Sequence, residues 1–344
     1  MVTIYDIAKA TGHSAPTVSK ALSGVGTLSA ETRKKIIETA KAMNYEPNMT
    51  ARTLATKKSQ IIGVIYDDTG MSRGFSHPLF SVVLNRFREQ IEQAGYDIIF
   101  LSRHFNMSYF AHAKYRSVDG IIIINPAEYK SESFEAFIKH KTPCVSTNTI
   151  IDGICTVITE NESGGYQAAE YLFKKGHKRI AFLSGPRNNL STAGYERYKG
   201  FIKACEDYKI PFDENLYEEC DYWHSKAGYE GFNRLWNRTH DFTAVFACSD
   251  MLAYGVMELA EEKNISIPDD ISLMGFDNDN GTQFSRPKLT TFSHDAIKIA
   301  DMAAEMLFQQ LNEIPVPPII RFPAQLIERA SVKDLTKTDL TAKR

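Results

Sequence analysis

TIYDIAKATGHSAPTVSKAL, residues 3–22, is the stretch on which the reading of this chain turns. Thr3 is placed to cap a helix whose apolar face is Ile4, Ile7 and Ala8, with Asp6 favoured in its first turn by the helix dipole. Gly12 supplies a tight turn. Ser14 then caps a second helix with Pro16 in its opening turn, where a missing N–H costs nothing. Val18 and Leu22, four apart, pack that helix on the first and turn Ala15, Pro16, Thr17, Ser19 and Lys20 outward. A short exposed helix with small and hydrogen-bonding residues near its start fits a DNA major groove. On these twenty residues alone a generic three-helix bundle is the competing reading, and the flanking sequence decides between them.

Ser29 opens a third helix with Ile36, Ile37, Ala40 and Met43 as its inward stripe, and Asn44 and Pro47 end it. Up to Lys58 there are nine Lys+Arg against four Asp+Glu, whereas the whole chain carries a formal charge of −2. The head is therefore +5 and the remainder −7, a basic end on an acidic body that suits a phosphate-binding surface. Residues 48–59 follow as a linker. Ala51, Leu54 and Ala55 form a stripe two turns long, too short to be a stable helix alone. Paired with a copy of itself on DNA it would fold, with Leu54 wedged into the minor groove. Leu54→Ala is expected to weaken specific operator binding by several-fold or more with ligand binding intact; equal operator affinity would remove the wedge.

From residue 60 the pattern alternates between strand and helix. Apolar runs at 61–65, 97–101, 120–124 and 143–146 are separated by helical stretches such as 79–94 and 131–141. A second series follows at 179–184, 243–248 and 271–276, with helices near 162–175, 192–208, 225–237 and 249–263. Runs apolar on both faces mean buried parallel strands, hence a doubly wound α/β fold. Two such series predict two lobes with a ligand in the crevice at the carboxyl ends of the strands. With 344 residues, 43% hydrophobic and 24% charged, this is an ordinary globular composition, with no run of 18 apolar residues. The five cysteines are scattered without CxxC spacing and read as reduced thiols, neither disulfides nor a zinc site, in a cytoplasmic protein. No GxxxxGK[ST], HExxH, GxGxxG after a strand or GxSxG occurs, and Asp67 and Asp68 are adjacent, so no catalytic, metal or cofactor residues are assigned.

Residues 3–22, then TRKKIIETAKAMNYEPNMTARTLATKKSQIIGVI, resemble the LacI/GalR family of bacterial transcription regulators. YLFKKGHKRIAFLSGP, FACSDMLAYGVMEL, IPDDISLMGFDN and RPKLTTFSHD follow in matching order, so the resemblance spans residues 2–331. It implies a helix-turn-helix domain (1–47), a hinge (48–59) and a two-lobed periplasmic-binding-protein-like core (60–331); residues 332–344 are polar with no long apolar stripe and read as a disordered tail. Lobe 1 would comprise about 60–158 and 293–318, and lobe 2 about 159–292 and 319–331, leaving three crossovers as a hinge. The resemblance puts Arg197 and Asp277 at the effector and Phe80 where lobe 1 touches it. Asp250 stands at an equivalent strand end, and Tyr222 and Trp223 suit stacking on a sugar ring. At the DNA, Lys20 would read guanine, Thr17 a base edge or phosphate, and Tyr5 and Ser19 phosphates. Thr3, Ser14, Ala15, Pro16, Asn48, Ala51, Arg52 and Leu54 complete the interface. Lys20 stands where arginine is frequent in the family and Glu160 where aspartate is usual. The resulting expectation is a homodimeric repressor on a palindromic operator, released by a sugar. A corepressor mode with a nucleobase or phosphoprotein is the alternative, and a cytoplasmic sugar-binding protein without DNA is a weaker one.

Overall fold

The computed structural model describes residues 2–23, 26–46, 58–67, 74–102, 107–126, 132–186 and 192–337. Two compact units result, Met1–Ser59 and Gln60–Arg344. Asn48, Ala51, Arg52 and Leu54 lie outside the described residues.

The first unit holds α1 (Ile4–Thr11), α2 (Ala15–Ser23) and α3 (Ala30–Ala42). Each start has a local cause. Thr3 and Asp6 form a reciprocal capping box on α1, and Gly12 ends it in the left-handed region at φ 73°. The Ser14 hydroxyl accepts from the Thr17 amide at 3.4 Å, and that of Ser29 from Thr32 at 3.1 Å. The three helices close over Ile7, Val18, Ala21, Ile36 and Ala40, all buried. Ile37 is only half-buried at the edge of this core.

The second unit is built on two parallel sheets. In lobe 1, β1 (Ile61–Tyr66), β2 (Asp97–Leu101), β3 (Gly120–Asn125), β4 (Cys144–Ser146), β5 (Cys155–Thr159) and β11 (Ile319–Phe322) lie in the order β2-β1-β3-β4-β5-β11. Helices α4 (Pro78–Gln93) and α11 (Ala296–Leu311) bury one apolar cluster against it. A second cluster gathers Tyr109 of α5 (Tyr109–Tyr115) and Phe134 and Phe137 of α6 (Glu132–Lys139). Lobe 2 orders β6 (Ile180–Ser184), β7 (Tyr217–Glu219), β8 (Ala244–Ala247) and β9 (Ser272–Met274) as β7-β6-β8-β9. Around it pack α7 (Asn161–Lys174) on α8 (Thr192–Asp207), and α9 (Ser225–Arg238) on α10 (Asp250–Glu262). Among the described residues no helix is long and apolar enough to cross a membrane.

The chain passes between lobes three times: from β5 into α7, from β10 (Thr291–Ser293) into α11, and from β11 into β12 (Gln325–Ile327). β10 and β12 pair antiparallel, Thr291 opposite Ile327 and Ser293 opposite Gln325, tying two crossovers together. Two expectations are corrected here. The segment 319–331 does not belong wholly to lobe 2: Ile319–Phe322 pair in parallel with Thr156–Thr159 of lobe 1, so the last crossing comes after Phe322. IIRF lies between Pro318 and Pro323 and is only half-buried, so its periodicity named no sheet and pairing alone placed it. The tail is also not disordered from residue 332. As far as Lys337 it is anchored, the Leu335 amide donating to the Lys175 carbonyl at 2.8 Å and Lys175 pairing with Glu328 and Asp334. These anchors are polar and leave no apolar stripe to read.

The tail also covers His177, which is buried with Nδ1 2.9 Å from the Thr243 hydroxyl and Nε2 3.0 Å from the Lys333 carbonyl. A carbonyl only accepts, so Nε2 carries the proton and Nδ1 accepts from Thr243. Burial lowers this imidazole below its ordinary 6.5, despite the Lys333 carbonyl. As pH falls through 6.5 the unfolded chain takes a proton that the folded site refuses, so stability falls with acidification. Thermal midpoints measured from pH 7 to 5 are expected to fall less for His177→Gln than for the unsubstituted protein. Parallel curves would contradict a neutral His177.

Candidate functional site

Two surfaces carry candidate chemistry, one in each unit. In the first, α2 presents Pro16, Ser19 and Lys20 to solvent, whereas Ala15 and Thr17 are half-buried instead of fully outward. The Thr17 hydroxyl lies 2.8 Å from that of Ser14, so both serve the helix start as well as any partner. Tyr5 is 76% exposed on α1, and Thr3 is exposed within its capping box. Small side chains on α2 thus stand with Lys20 at the surface, and the phenol of Tyr5 is exposed on α1.

In the second unit a cleft opens between the lobes. Lobe 1 contributes His77, Leu79, Phe80 and Asn148, and lobe 2 Ala193, Arg197, Trp223, Ser249, Met251 and Asp277, with His294 from the second crossover. Most of these follow a strand or open a helix at the carboxyl edge of a parallel sheet, where backbone ends converge and side chains point into the crevice.

Arg197 is the centre of this site. It is 4% exposed, its guanidinium carbon 3.6 Å from the centre of the Phe276 ring. Nε donates to Asn161 Oδ1 at 3.0 Å, and Nη1 to the Cys248 carbonyl at 2.6 Å and to Asp277 Oδ1 at 3.4 Å. What brings it so deep is the crossing of α7 and α8. A Cβ on Gly165 would meet the backbone carbonyl of Arg197, and one on Gly200 the carbonyl of Glu162. Only two glycines let these helix backbones touch.

Asp277 leaves β9 with φ 117°, a conformation that a side chain tolerates only when surroundings hold it. Its amide donates to the Phe292 carbonyl at 2.8 Å, and its Oδ1 accepts from His294 Nε2 at 3.0 Å. Burial would raise this carboxyl, but Arg197, His294 and His77 outweigh burial and hold it below its ordinary value. His294 is depressed by burial and by the Arg197 charge, against the pull of Asp277, and so stays neutral. With Nε2–H on Asp277, its Nδ1 accepts from the Thr159 hydroxyl at 2.7 Å. Among the described residues, Nη2 of Arg197 and Oδ2 of Asp277 make no hydrogen bond. The cleft thus offers a paired donor and acceptor side by side, which fits a vicinal diol whose hydroxyls both give and receive.

The aromatic walls have equally local causes. Trp223 lies so close over Gly185 and Gly194 that a Cβ on either would collide with the indole. Phe80 stacks on His77 with ring centres 3.9 Å apart, and His77 caps α4 by accepting from the Phe80 amide. Of the residues the sequence singled out, Phe80, Arg197, Trp223 and Asp277 are therefore brought together. Two are not. Asp250 is fully buried behind the cleft, where its carboxylate accepts from the Asp279 amide at 2.7 Å and the Thr291 hydroxyl at 2.6 Å. Burial, then the neighbouring Asp277 charge, raises its titration well above the ordinary carboxylate range. It braces β9 and β10 and has no face for a ligand. Tyr222 is 52% exposed and stacks on His224, outside the cleft lining. His77, Asn148 and His294 were missed, although SHP before a helix and polar residues directly after short strands mark such positions.

A family model described as "Bacterial regulatory proteins, lacI family" matches residues 3–48, and one described as "Periplasmic binding protein-like domain" matches residues 169–332. The HTH-type transcriptional repressor PurR of Pasteurella multocida (strain Pm70) is 30% identical over 341 residues, 97% of this chain and 99% of that protein. The solved structure of the lac repressor dimer bound to operator and the anti-inducer ONPF has a TM-score of 0.79 at 24% identity, covering 96% of this chain and 99% of that one. A LacI family regulator from Enterococcus faecium with bound ribose has a TM-score of 0.69 at 27% identity, covering 80% of this chain and 99% of that one.

Proposed function

Because the chain belongs to the LacI family of bacterial regulatory proteins, we propose that it is a sequence-specific DNA-binding transcriptional repressor whose operator affinity is set by a small ligand held between its lobes. The ligand class we assign is a sugar. The observation that carries this is the unspent Arg197 Nη2 and Asp277 Oδ2 beside the Trp223 ring: a polyol edge and an apolar sugar face are what that combination complements. Residues 1–47 are assigned to DNA, 48–59 to the hinge and the two lobes to ligand binding and self-association. The active species is a dimer in the cytoplasm, its two copies of α2 reading the halves of a palindrome. Phe80, Arg197, Trp223 and Asp277 are the proposed effector contacts.

Thermal unfolding against a panel of mono- and oligosaccharides, nucleobases and sugar phosphates tests the assignment, since a ligand of the folded state raises the midpoint by mass action. A shift with one sugar, lost in Arg197→Met, supports the reading. The second reading is a nucleobase corepressor, favoured by Trp223 as a stacking surface. It predicts a shift with a nucleobase only, and operator affinity that rises with ligand instead of falling.

A further inference from the structure

Beside Glu196, the residue before Arg197, stands a second arginine that the ligand reading does not use. Arg321 closes on Glu196 with two parallel hydrogen bonds, Nη2 to Oε1 at 2.7 Å and Nη1 to Oε2 at 3.0 Å. The side chains are 31% and 11% exposed, so the pair is partly withdrawn from water. Its two ends belong to different lobes. Arg321 lies on β11 of the lobe 1 sheet, one residue before the strand ends at the third crossover. Glu196 lies on α8 of lobe 2, immediately before the cleft arginine. Glu160 and Glu162, at the first crossover and the start of α7, line the same groove and also favour the charged guanidinium. Lys203 lines it too, and Lys199 is engaged with Glu162 at 3.1 Å.

We infer that the Arg321–Glu196 pair is an interlobe latch that holds the hinge in the arrangement where both lobes face the cleft, and that it positions Arg197 through α8. A bidentate guanidinium–carboxylate pair is directional, unlike a point-charge contact, so it resists rotation of one lobe on the other. Removing Arg321 also leaves Glu196 without this partner and takes a positive charge from beside Glu160 and Glu162, which favours other lobe angles. A ligand that needs both walls then binds only the remaining fraction in the competent arrangement, which weakens its apparent affinity by that fraction. None of this depends on the ligand being a sugar.

The test uses the full-length protein without ligand, followed by hydrogen–deuterium exchange. Arg321→Gln is expected to speed exchange several-fold in segments 155–162, 289–296 and 319–328, leaving α9 and α10 at their original rates. The swap Arg321→Glu with Glu196→Arg is expected to restore slow exchange, whereas Arg321→Glu alone is the fastest of the set. High salt is expected to accelerate the same segments in the unsubstituted protein and not in Arg321→Gln. Unchanged exchange in Arg321→Gln overturns the latch, as does acceleration spread evenly over the chain or a swap no better than Arg321→Glu alone. Should Arg321→Glu fail to fold, Glu196→Gln replaces it and must show the same localised pattern. A failed sugar screen with localised exchange would count against the ligand class and leave the latch standing.

Discussion

Gly165→Ala is expected to cost the protein both stability and ligand response, although it adds a single methyl group in a helix. Alanine is intrinsically the better helix former by about 1 kcal/mol, so an exposed site would be strengthened. Here the new methyl would occupy the space of the Arg197 carbonyl oxygen, which is backbone and cannot rotate away. α8 must therefore move off α7, and overpacking of this kind costs about 1–3 kcal/mol or more. Because Arg197 rides on α8, the displacement carries its guanidinium away from Asp277 and from the Phe276 ring. The expected results are a thermal midpoint lowered by several degrees and a ligand affinity reduced by at least about tenfold, the equivalent of 1.4 kcal/mol. Gly200→Ala should behave alike, since its methyl would meet the Glu162 carbonyl. An unchanged midpoint with unchanged affinity would mean that the helices are not seated as described.

Asp277→Ala is expected to abolish the response to ligand at concentrations that saturate the unsubstituted protein, with operator binding retained. Two effects add. The carboxylate is lost as a ligand acceptor, and Arg197 is left as a buried charge with only the Asn161 and Cys248 oxygens as partners. Losing a hydrogen bond from the ligand to a charged group costs about 1.5–3 kcal/mol, or about 10- to 150-fold in Kd, beside the stability lost with the uncompensated Arg197 charge. His294 loses its acceptor as well and remains held by Thr159. Asp277→Asn separates charge from shape, because the amide keeps the acceptor and loses the counter-charge. Isothermal titration with the sugar found by thermal shift, run beside operator binding, reads both. A variant that still responds at the original ligand concentrations would remove Asp277 from the site.

Much of this was legible in the residues. Capping pairs such as Thr3–Asp6 and the spacing of Ile7, Val18 and Ile36 name the first unit, because helix periodicity and caps are local signals. The long apolar runs at β1, β3 and β6 are equally clear. What escaped was short or non-local. CTVIT at β5 and TFS at β10 are brief and rich in Thr and Ser, and β11 is a half-buried edge whose sheet is decided by a partner 163 residues away, Ile319 opposite Thr156. Asp250 and Asp277 look alike in sequence, each following a strand. Only the fold shows that Thr291 and the Asp279 amide consume one carboxylate while the other turns into the cleft. His294 is the clearest omission, since its role comes from Thr159 and Asp277 meeting at the crossovers.

The third crossover has a consequence for how the protein is made. The edge of lobe 1 at β5 is completed only by β11, which leaves the ribosome after the four-stranded sheet of lobe 2. At about 5–20 residues per second, the interval between residues 159 and 322 is roughly 8–30 s. During that time Thr156–Thr159 form an open strand edge, and the surface that α11 will cover, around Val145 and Val157, stays bare. Lobe 2 waits for its closing strand β12 and the tail after it, and has most of its chain in hand early. A nascent protein is thus expected to hold a nearly complete second lobe, short of β12 and the tail, beside an unfinished first one. Chaperone demand should peak before residue 322 is released, and truncations ending before residue 319 should aggregate more than the full-length chain.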